Sequence, residues 1–145
     1  MAKSKGFRYD EVLLCTDPIE NLSLDGFTYG YSFKLQYPTY RGTFVSCIEA
    51  LEITVDGETI PESELRFGLN GKQFLISELP ELHREYWFVL DKADLTVMRE
   101  GGAAPGEHEV TVKLRHRIPY TGYFGQYMVL DTQYTRMLSV GGEDK

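Results

Sequence analysis

A chain of 145 residues that is 42% hydrophobic and 13% aromatic has the composition of a globular protein, and we expect one domain over 1–145. Its formal net charge of −7 argues against general binding to nucleic acid or to anionic membranes. No stretch is apolar enough to span a bilayer, and the first residues lack a secretory signal, so we expect a cytoplasmic protein with Cys15 and Cys47 reduced.

The first half of the chain contains alternating patterns that are typical of strands. We expect loose residues at 1–6, a first strand within Phe7–Thr16, and a strong strand over Gly26–Tyr37. In the strong strand one face is shared by Phe27, Tyr29, Tyr31, Phe33, Leu35 and Tyr37. We expect this face to line the inside of a sandwich rather than to stack a sugar or a flavonoid, with Tyr37, at the strand end, as its most exposed member.

Two hairpin turns are predicted in the middle of the chain. Thr43–Val55 should be a strand that turns at Asp56-Gly57, and Asn70-Gly71 should close a second hairpin over Leu65–Ile76. The pairs that these turns predict are Ile53 with Ile60, Phe67 with Phe74, and Leu65 with Ile76. The other short elements that we expect are a helical turn at Pro61–Glu64, a short helix or irregular link at Ser77–Arg84, and strands at Tyr86–Leu90 and Leu95–Arg99.

The most regular pattern is Glu107–Ile118, which predicts a long strand. One face carries His108, Val110, Val112, Leu114, His116 and Ile118, and the other carries Glu109, Thr111, Lys113, Arg115 and Arg117. Tyr127–Val140 predicts a last strand before a loose tail at 141–145. These many short strands predict an all-β fold, an antiparallel β-sandwich that is jelly-roll-like, with one or two short helical turns.

No self-sufficient catalytic or metal-binding set is visible in the sequence. There is no G-x-S-x-G elbow and no P-loop, and His83, His108 and His116 lack metal-ligand spacing, so we expect them to be structural. The basic residues on the polar face of Glu107–Ile118 are expected to pair with acids of a neighbouring strand. A docking surface for an acidic partner is the alternative for that stripe.

Two loops that follow long strands are dense in tyrosine, arginine and glycine, over Tyr37–Gly42 and Pro119–Tyr127. Exposed aromatic rings and arginine are typical of protein interfaces, although tyrosines that cap a core give a similar pattern. We therefore predict a partner interface formed by Tyr37, Tyr40, Arg41, Tyr120, Tyr123, Phe124 and Tyr127.

A series of short motifs between Phe27 and Tyr120 points to a known family. The motifs are Tyr40-Arg41-Gly42, Ser46-Cys47-Ile48-Glu49, Leu51-Glu52-Ile53-Thr54-Val55-Asp56-Gly57, Asn70-Gly71-Lys72, Glu78-Leu79-Pro80-Glu81-Leu82, Trp87-Phe88 and Pro105-Gly106-Glu107-His108-Glu109-Val110. In this order they resemble the small β subunit of bacterial C-glycoside deglycosidases.

The resemblance implies a complex with a larger α subunit. That subunit would be a sugar-isomerase-like TIM barrel that holds a divalent metal, Mn or similar, and the catalytic residues. The complex would cleave the carbon–carbon bond between an aromatic, flavonoid-like aglycone and a 3-oxo-sugar. The β subunit would support the α subunit and border its active site, with the 3-oxo-C-glycoside held mainly by the partner. On this view the present chain has no catalytic residue, metal or cofactor of its own.

Two other functions remain open from the residues alone. A stand-alone carbohydrate-binding β-sandwich would bind sugars by itself through exposed aromatic side chains. A small self-contained hydrolase would need two carboxylates that converge across strands, and the sequence singles out no such pair.

Overall fold

The computed structural model describes residues 9–39, 41–118 and 128–141, and in these stretches the chain forms eleven strands and four 3-10 turns. The strands are β1 Glu20–Leu24, β2 Phe27–Gln36, β3 Thr43–Phe44, β4 Ile48–Val55, β5 Glu58–Thr59, β6 Leu65–Leu69, β7 Lys72–Leu75, β8 Tyr86–Trp87, β9 Lys92–Met98, β10 Glu107–Ile118 and β11 Met128–Ser139. The 3-10 turns are Tyr9–Val12, Val45–Cys47, Glu62–Glu64 and Ile76–Glu81. None of these turns is long or apolar enough to cross a membrane.

The strands form two main antiparallel sheets and a short ribbon. One sheet has the strand order β1-β2-β9-β6-β7, the second has the order β11-β10-β4-β5, and β3 pairs with β8. The predicted all-β antiparallel fold is therefore confirmed, and the sheets do not close into a barrel.

The core lies between the inner faces of the two main sheets. β2 contributes Tyr31, Phe33 and Leu35, and β10 contributes Val110 and Val112, all of them buried. Each such side chain stabilises the fold by roughly 1.5–3 kcal/mol relative to an exposed one. The alternation that predicted these strands is therefore the same feature that builds the core.

β10 is an interior strand of the four-stranded sheet, and it has the predicted bounds Glu107–Ile118. It pairs with β11 along its whole length and with β4 on its other side. The side chains of Val110, Val112, Leu114 and His116 are buried, whereas Lys113 and Arg115 between them are exposed. The predicted assignment of residues to the two faces is therefore confirmed.

The hairpin turns also behave as predicted. Asp56-Gly57 and Asn70-Gly71 have positive φ at both residues, which is the backbone of a type I′ turn. The amide of Ile60 donates to the carbonyl of Ile53 over 2.9 Å, and Phe67 pairs with Phe74. A third turn of this kind, Asp25-Gly26, joins β1 to β2 and was not predicted, although it carries the same Asp-Gly signal.

The predicted first strand within Phe7–Thr16 is wrong. Tyr9–Val12 is a 3-10 turn, and the following segment makes a single antiparallel bridge between Leu14 and Leu35. Leu13 and Leu14 are both fully buried, and two successive inward-facing residues cannot belong to a regular strand with one wet face. The edge of the sheet is occupied by β1 instead, which the sequence reasoning missed.

The predicted strand Thr43–Val55 is interrupted. Val45–Cys47 forms a 3-10 turn in which all three residues are buried, so a turn replaces the alternation there. The predicted pair of Leu65 with Ile76 does not form within the hairpin, because β7 ends at Leu75 and Ile76 begins the next 3-10 turn.

The two strands predicted for 86–90 and 95–99 differ from expectation in opposite ways. The first is only two residues long, because the chain turns after Trp87 and the amide of Asp91 donates to the carbonyl of Phe88 over 3.0 Å. The second is longer than expected, since β9 begins at Lys92.

Residues from the two termini meet at the sheet edges. Ile19, just before β1, forms a parallel bridge with Val140, just after β11. The amide of Ile19 donates to the carbonyl of Ser139, and the amide of Gly141 donates to the carbonyl of Ile19, each over 2.8 Å. The remaining parts of the predicted loose tails, 1–6 and 142–145, lie outside the described residues.

Candidate functional site

The ends of β2 and β10 lie together at one end of the sandwich, where they are joined by Tyr37 and His116. Tyr37 follows β2 directly, and its hydroxyl is hydrogen-bonded to Nδ1 of His116 in β10 over 2.8 Å. The amide of Gln36 at the end of β2 donates from Nε2 to the carbonyl of Val89 over 2.8 Å. These contacts place the segment around β8 beside the ends of both long strands.

Tyr37 is buried, with 1% of its surface exposed, so the expectation that it is the most exposed member of the aromatic row is wrong. Its ring packs against Trp87 and His116, with ring centroids 5.4 Å and 5.2 Å away. Trp87 in turn packs against Phe67 at 5.3 Å and donates from Nε1 to the carbonyl of Asp91. Tyr37 therefore supports this end of the molecule from inside.

His116 is a fully buried hydrogen-bonding group between the two hydroxyls of Tyr37 and Thr132. Its Nε2 lies 3.1 Å from Oγ1 of Thr132 in β11. Burial lowers the pKa of His116 to about 4, although the carboxylate of Asp131 acts in the opposite direction. The ring is therefore neutral at pH 7, and a neutral imidazole can donate with one nitrogen and accept with the other. This arrangement fits the structural role that the sequence predicted.

The glycine of the Tyr-Arg-Gly motif is required because the backbone of a neighbouring segment lies too close for a side chain. A Cβ at Gly42 would lie 2.3 Å from the carbonyl oxygen of Trp87 and 3.1 Å from Cα of Phe88, so only glycine fits against this segment. Just before it, the hydroxyl of Thr39 donates to the carbonyl of Arg41 over 2.5 Å and accepts from the Arg41 amide over 3.3 Å. The loop is thereby held on β8 with Arg41 on the surface.

Three aromatic side chains that contact one another, Phe44, Tyr86 and Phe88, lie beside this loop, and Leu90 follows Phe88 by two positions with 82% of its surface exposed. We name these four residues the strand-end patch. Phe44 and Tyr86 are paired residues of β3 and β8, and their rings meet edge to face at 5.0 Å. The rings of Tyr86 and Phe88 meet in the same way at 4.8 Å. Sequence reasoning missed the patch, because Tyr86–Leu90 is a continuous apolar run, which is typical of a strand buried on both faces.

The other predicted interface residues, Tyr40, Tyr120, Tyr123, Phe124 and Tyr127, lie outside the described residues, so their role stays a prediction. Residues 119–127 connect β10 to β11, whose facing ends Ile118 and Met128 are paired.

The basic stripe on β10 is paired with acids, as expected from the residues. Arg115 Nη1 lies 3.1 Å from Oδ1 of Asp131 in β11, and Arg117 Nη1 lies 3.1 Å from Oε2 of Glu49. Lys113 lies 3.8 Å from a carboxylate oxygen of Glu52 in β4. These contacts explain the stripe as a salt-bridged sheet face.

His108, at the start of β10, is held by two acceptors. Nδ1 lies 2.6 Å from Oδ2 of Asp56, and Nε2 lies 2.7 Å from the carbonyl oxygen of Ala104. The Ala104 carbonyl and the Asp56 carboxylate raise the pKa of His108. Because both ring nitrogens face acceptors, the imidazolium form donates both hydrogen bonds. The ring therefore links Asp56 to Ala104 and has no free nitrogen to act as a base.

The described part of the chain brings no group of three or more His, Cys, Asp and Glu side chains together as a metal site. Cys15 and Cys47 are buried and do not form a disulfide, and burial raises the pKa of the Cys15 thiol. The sequence-based expectation that this chain holds no metal or cofactor stays a prediction.

A polar groove of about 530 Å³ crosses the outer face of the five-stranded sheet. It is lined by short side chains such as Ser32 and Thr96 and by Gly68, and Lys34 at its wall pairs with Asp94. Tyr29 also lines this groove, so it does not share the core face with its neighbours in the aromatic row. A shift of register in the β1–β2 pairing next to Tyr29 breaks the alternation there.

Comparison with known proteins matches residues 9–120 to the C-glycoside deglycosidase beta subunit family. A C-glycoside deglycosidase beta subunit of Microbacterium trichothecenolyticum is 41% identical over 91 residues, which are 60% of this chain and 66%, just under two thirds, of that protein. One from Arthrobacter globiformis is 37% identical over 92 residues, 63% of this chain and 70% of the relative. A 3'-dehydrocarminate deglycosidase beta subunit of a Microbacterium species is 36% identical over 110 residues, 74% of this chain and 82% of the relative. Since the family match covers most of the chain and contains the Tyr37–His116 cluster and the strand-end patch, this protein belongs to the C-glycoside deglycosidase beta subunit family.

Proposed function

We propose that this chain is the small subunit of a heteromeric lyase that cleaves the carbon–carbon bond between an aromatic, flavonoid-like aglycone and a 3-oxo-sugar. The observation that carries the proposal is the family match over residues 9–120. The partner in this proposal is a larger α subunit with a sugar-isomerase-like TIM barrel. It holds the divalent metal, Mn or similar, and most of the contacts to the 3-oxo-C-glycoside.

The environment of the described histidines favours a structural role for this chain over a catalytic one. His116 is enclosed between two hydroxyls inside the core, and His108 is occupied on both nitrogens. A general base must reach the proton that it abstracts, and neither ring is placed to do so. In the proposal, proton transfer and metal chemistry therefore belong to the α subunit.

The proposed contact face with the α subunit is the end of the sandwich that carries the Tyr-Arg-Gly loop. Arg41 is exposed there, and its planar guanidinium can bind a partner carboxylate through two parallel hydrogen bonds. Tyr40, Tyr120, Tyr123, Phe124 and Tyr127 belong to the same proposed face, with Tyr37 as a buried support beneath it. The complex is proposed to be cytoplasmic, which agrees with two unpaired buried thiols.

The test is co-expression with the large-subunit gene of a C-glycoside deglycosidase from the same genome. We expect the two chains to co-purify and the complex, but not the isolated chain, to cleave a 3-oxo-C-glycoside. Cleavage of C- or O-glycosides by the isolated chain would contradict the assignment as a subunit without catalytic residues. A chain that forms no complex with the large subunit would contradict the function as a whole.

A stand-alone carbohydrate-binding module is the second candidate, and the groove on the five-stranded sheet is the observation in its favour. Its lysines are paired, Lys72 with Glu85 at 2.5 Å and Lys92 with Asp17 at 2.9 Å, so the groove suits a neutral polyhydroxylated ligand better than an anion. Calorimetric titration of the isolated chain with glycosides distinguishes the two candidates. Saturable binding that is lost in Tyr29→Ala would favour the module.

A further inference from the structure

We infer that the strand-end patch, Phe44, Tyr86, Phe88 and Leu90, is the surface that the larger subunit covers. The inference rests on the proposed function, because it takes the partner to be the α subunit.

Three residues of the patch are apolar side chains with large exposed fractions. Phe44 is 45% exposed, Phe88 is 58% exposed and Leu90 is 82% exposed. With about 200 Å² for a side chain of this size, these three expose on the order of 300–400 Å². That is the scale of the largest apolar patch on a typical monomer, and such patches often mark binding sites.

The patch is also fixed in place before any partner binds. Phe44 and Tyr86 are held by the β3–β8 pairing, and the amide of Val45 donates to the carbonyl of Glu85 over 2.8 Å. The edge-to-face contacts hold the rings of Phe44, Tyr86 and Phe88 against one another. Rigid aromatic side chains lose little conformational entropy on binding, which is why they are enriched among the residues that dominate binding energy.

Position on the molecule identifies the occupant as the larger subunit. Gly42 packs against the backbone of Trp87 and Phe88, so the patch is continuous with the loop that presents Arg41. An apolar centre beside an arginine is the composition of a heteromeric interface with an aromatic core and a polar rim. The β subunit family implies a partner of a different kind, and the patch lies at the face that we assign to it.

The chain offers a matched control at the opposite end of β2. Phe27 is 53% exposed and Leu24 is 69% exposed, and both flank the Asp25-Gly26 turn. Phe27 and Gln36 are the first and last residues of the ten-residue strand β2, so about 30 Å separate this turn from the strand end that contacts Val89 beside the patch. The double variants Phe88→Ala/Leu90→Ala and Leu24→Ala/Phe27→Ala therefore remove similar side chains from two distant surfaces.

The experiment measures the affinity of each variant for the purified large subunit, with a thermal melt of each variant alone. We expect Phe88→Ala/Leu90→Ala to bind at least about tenfold more weakly, while Leu24→Ala/Phe27→Ala binds like the wild type and both melt near the wild-type temperature. Phe88→Tyr keeps the ring and should restore most of the affinity. This rescue separates loss of contact from loss of fold.

Three results would overturn the inference. The first is wild-type affinity in Phe88→Ala/Leu90→Ala, and the second is an equal loss in the distal control. The third is a wild-type chain that forms a dimer by itself, with the patch variant monomeric but still binding the large subunit, which would assign the patch to a second copy. If the wild-type chain binds no large subunit at all, the proposed function fails first and the inference fails with it.

Discussion

The buried imidazole of His116 makes the stability of this protein depend on pH in a predictable direction. Its pKa is about 4 in the folded chain, compared with 6.5 for an ordinary histidine. Between these values the unfolded chain binds a proton that the folded chain does not bind. The free energy of unfolding therefore falls as the pH decreases from 6.5 to 4, and this contribution is fully present above pH 6.5.

The expected size follows from the shift. A difference of about 2.5 pKa values corresponds to about 3 kcal/mol lost by pH 4, with a slope near 1 kcal/mol per pH unit around pH 5.2. The assay is urea unfolding between pH 7 and pH 5, where ordinary carboxyl groups contribute little. His116→Asn should flatten the slope, whereas His83→Asn, a change at an exposed histidine, should leave it unchanged.

A direct titration keeps this prediction testable if the His116→Asn variant does not fold. The ring signals of His116, followed by NMR in the wild-type chain, should stay those of a neutral imidazole down to nearly pH 4. A midpoint near 6.5, or an unfolding free energy that rises as the pH falls from 6.5 to 5, would refute the reasoning.

Two further predictions follow from the same contacts. Gly42→Ala should lower the free energy of unfolding by about 1–3 kcal/mol in denaturant melts, because its Cβ would meet the Trp87 carbonyl at 2.3 Å. Gly68→Ala is the control, and it should cost clearly less because the nearest contact of its Cβ is at 3.3 Å. Equal effects of the two variants would contradict the steric argument. The NMR midpoint of His108 should lie above 6.5 and fall only part of the way in Asp56→Asn, since the Ala104 carbonyl raises this pKa as well, and an unchanged midpoint would show that Asp56 does not contribute. The raised pKa means that the His108 contribution to stability is present below pH 6.5 and is lost as the pH rises through the folded value.

The parts of the fold that follow from local rules were predictable from the sequence. The bounds of β10 were predictable because the strand Glu107–Ile118 has one buried face and one solvent-exposed face, so apolar and polar residues alternate along it. The turns at Asp56-Gly57 and Asn70-Gly71 were predictable because positive φ at two successive residues strongly restricts the choice of residue. The antiparallel all-β class follows from these elements together.

The errors occur where tertiary contacts override the alternation. Leu13 and Leu14 are buried in succession because they cover one end of β2, and Val45–Cys47 is buried on all sides, so a period of two has no meaning there. Tyr29 changes face beside a register shift, which no local pattern encodes. Tyr37 looked exposed because it ends a strand, but a histidine 79 positions away in the sequence supplies the partner that allows it to be buried.

The strand-end patch was missed for a related reason. Phe44 was expected within a continuous strand, and Tyr86–Leu90 was expected to be paired throughout. In the structure both strands stop after two residues, and their outward rings are left without a covering element among the described residues. The proposed docking surface thus arises where the strand pairing ends, and that end depends on the turn after Trp87.

The bridge between Ile19 and Val140 has a consequence for how the protein is made. One edge of each sheet is completed only when residues from opposite ends of the chain meet. On the ribosome the bridge at Ile19 therefore forms only after β11 has emerged, although β1 can already pair with β2. Contacts between residues so distant in sequence predict folding on the scale of milliseconds to seconds rather than microseconds. Until β11 pairs with β10, the growing chain exposes the unpaired backbone groups along the edge of β10, which are a template for intermolecular strand pairing.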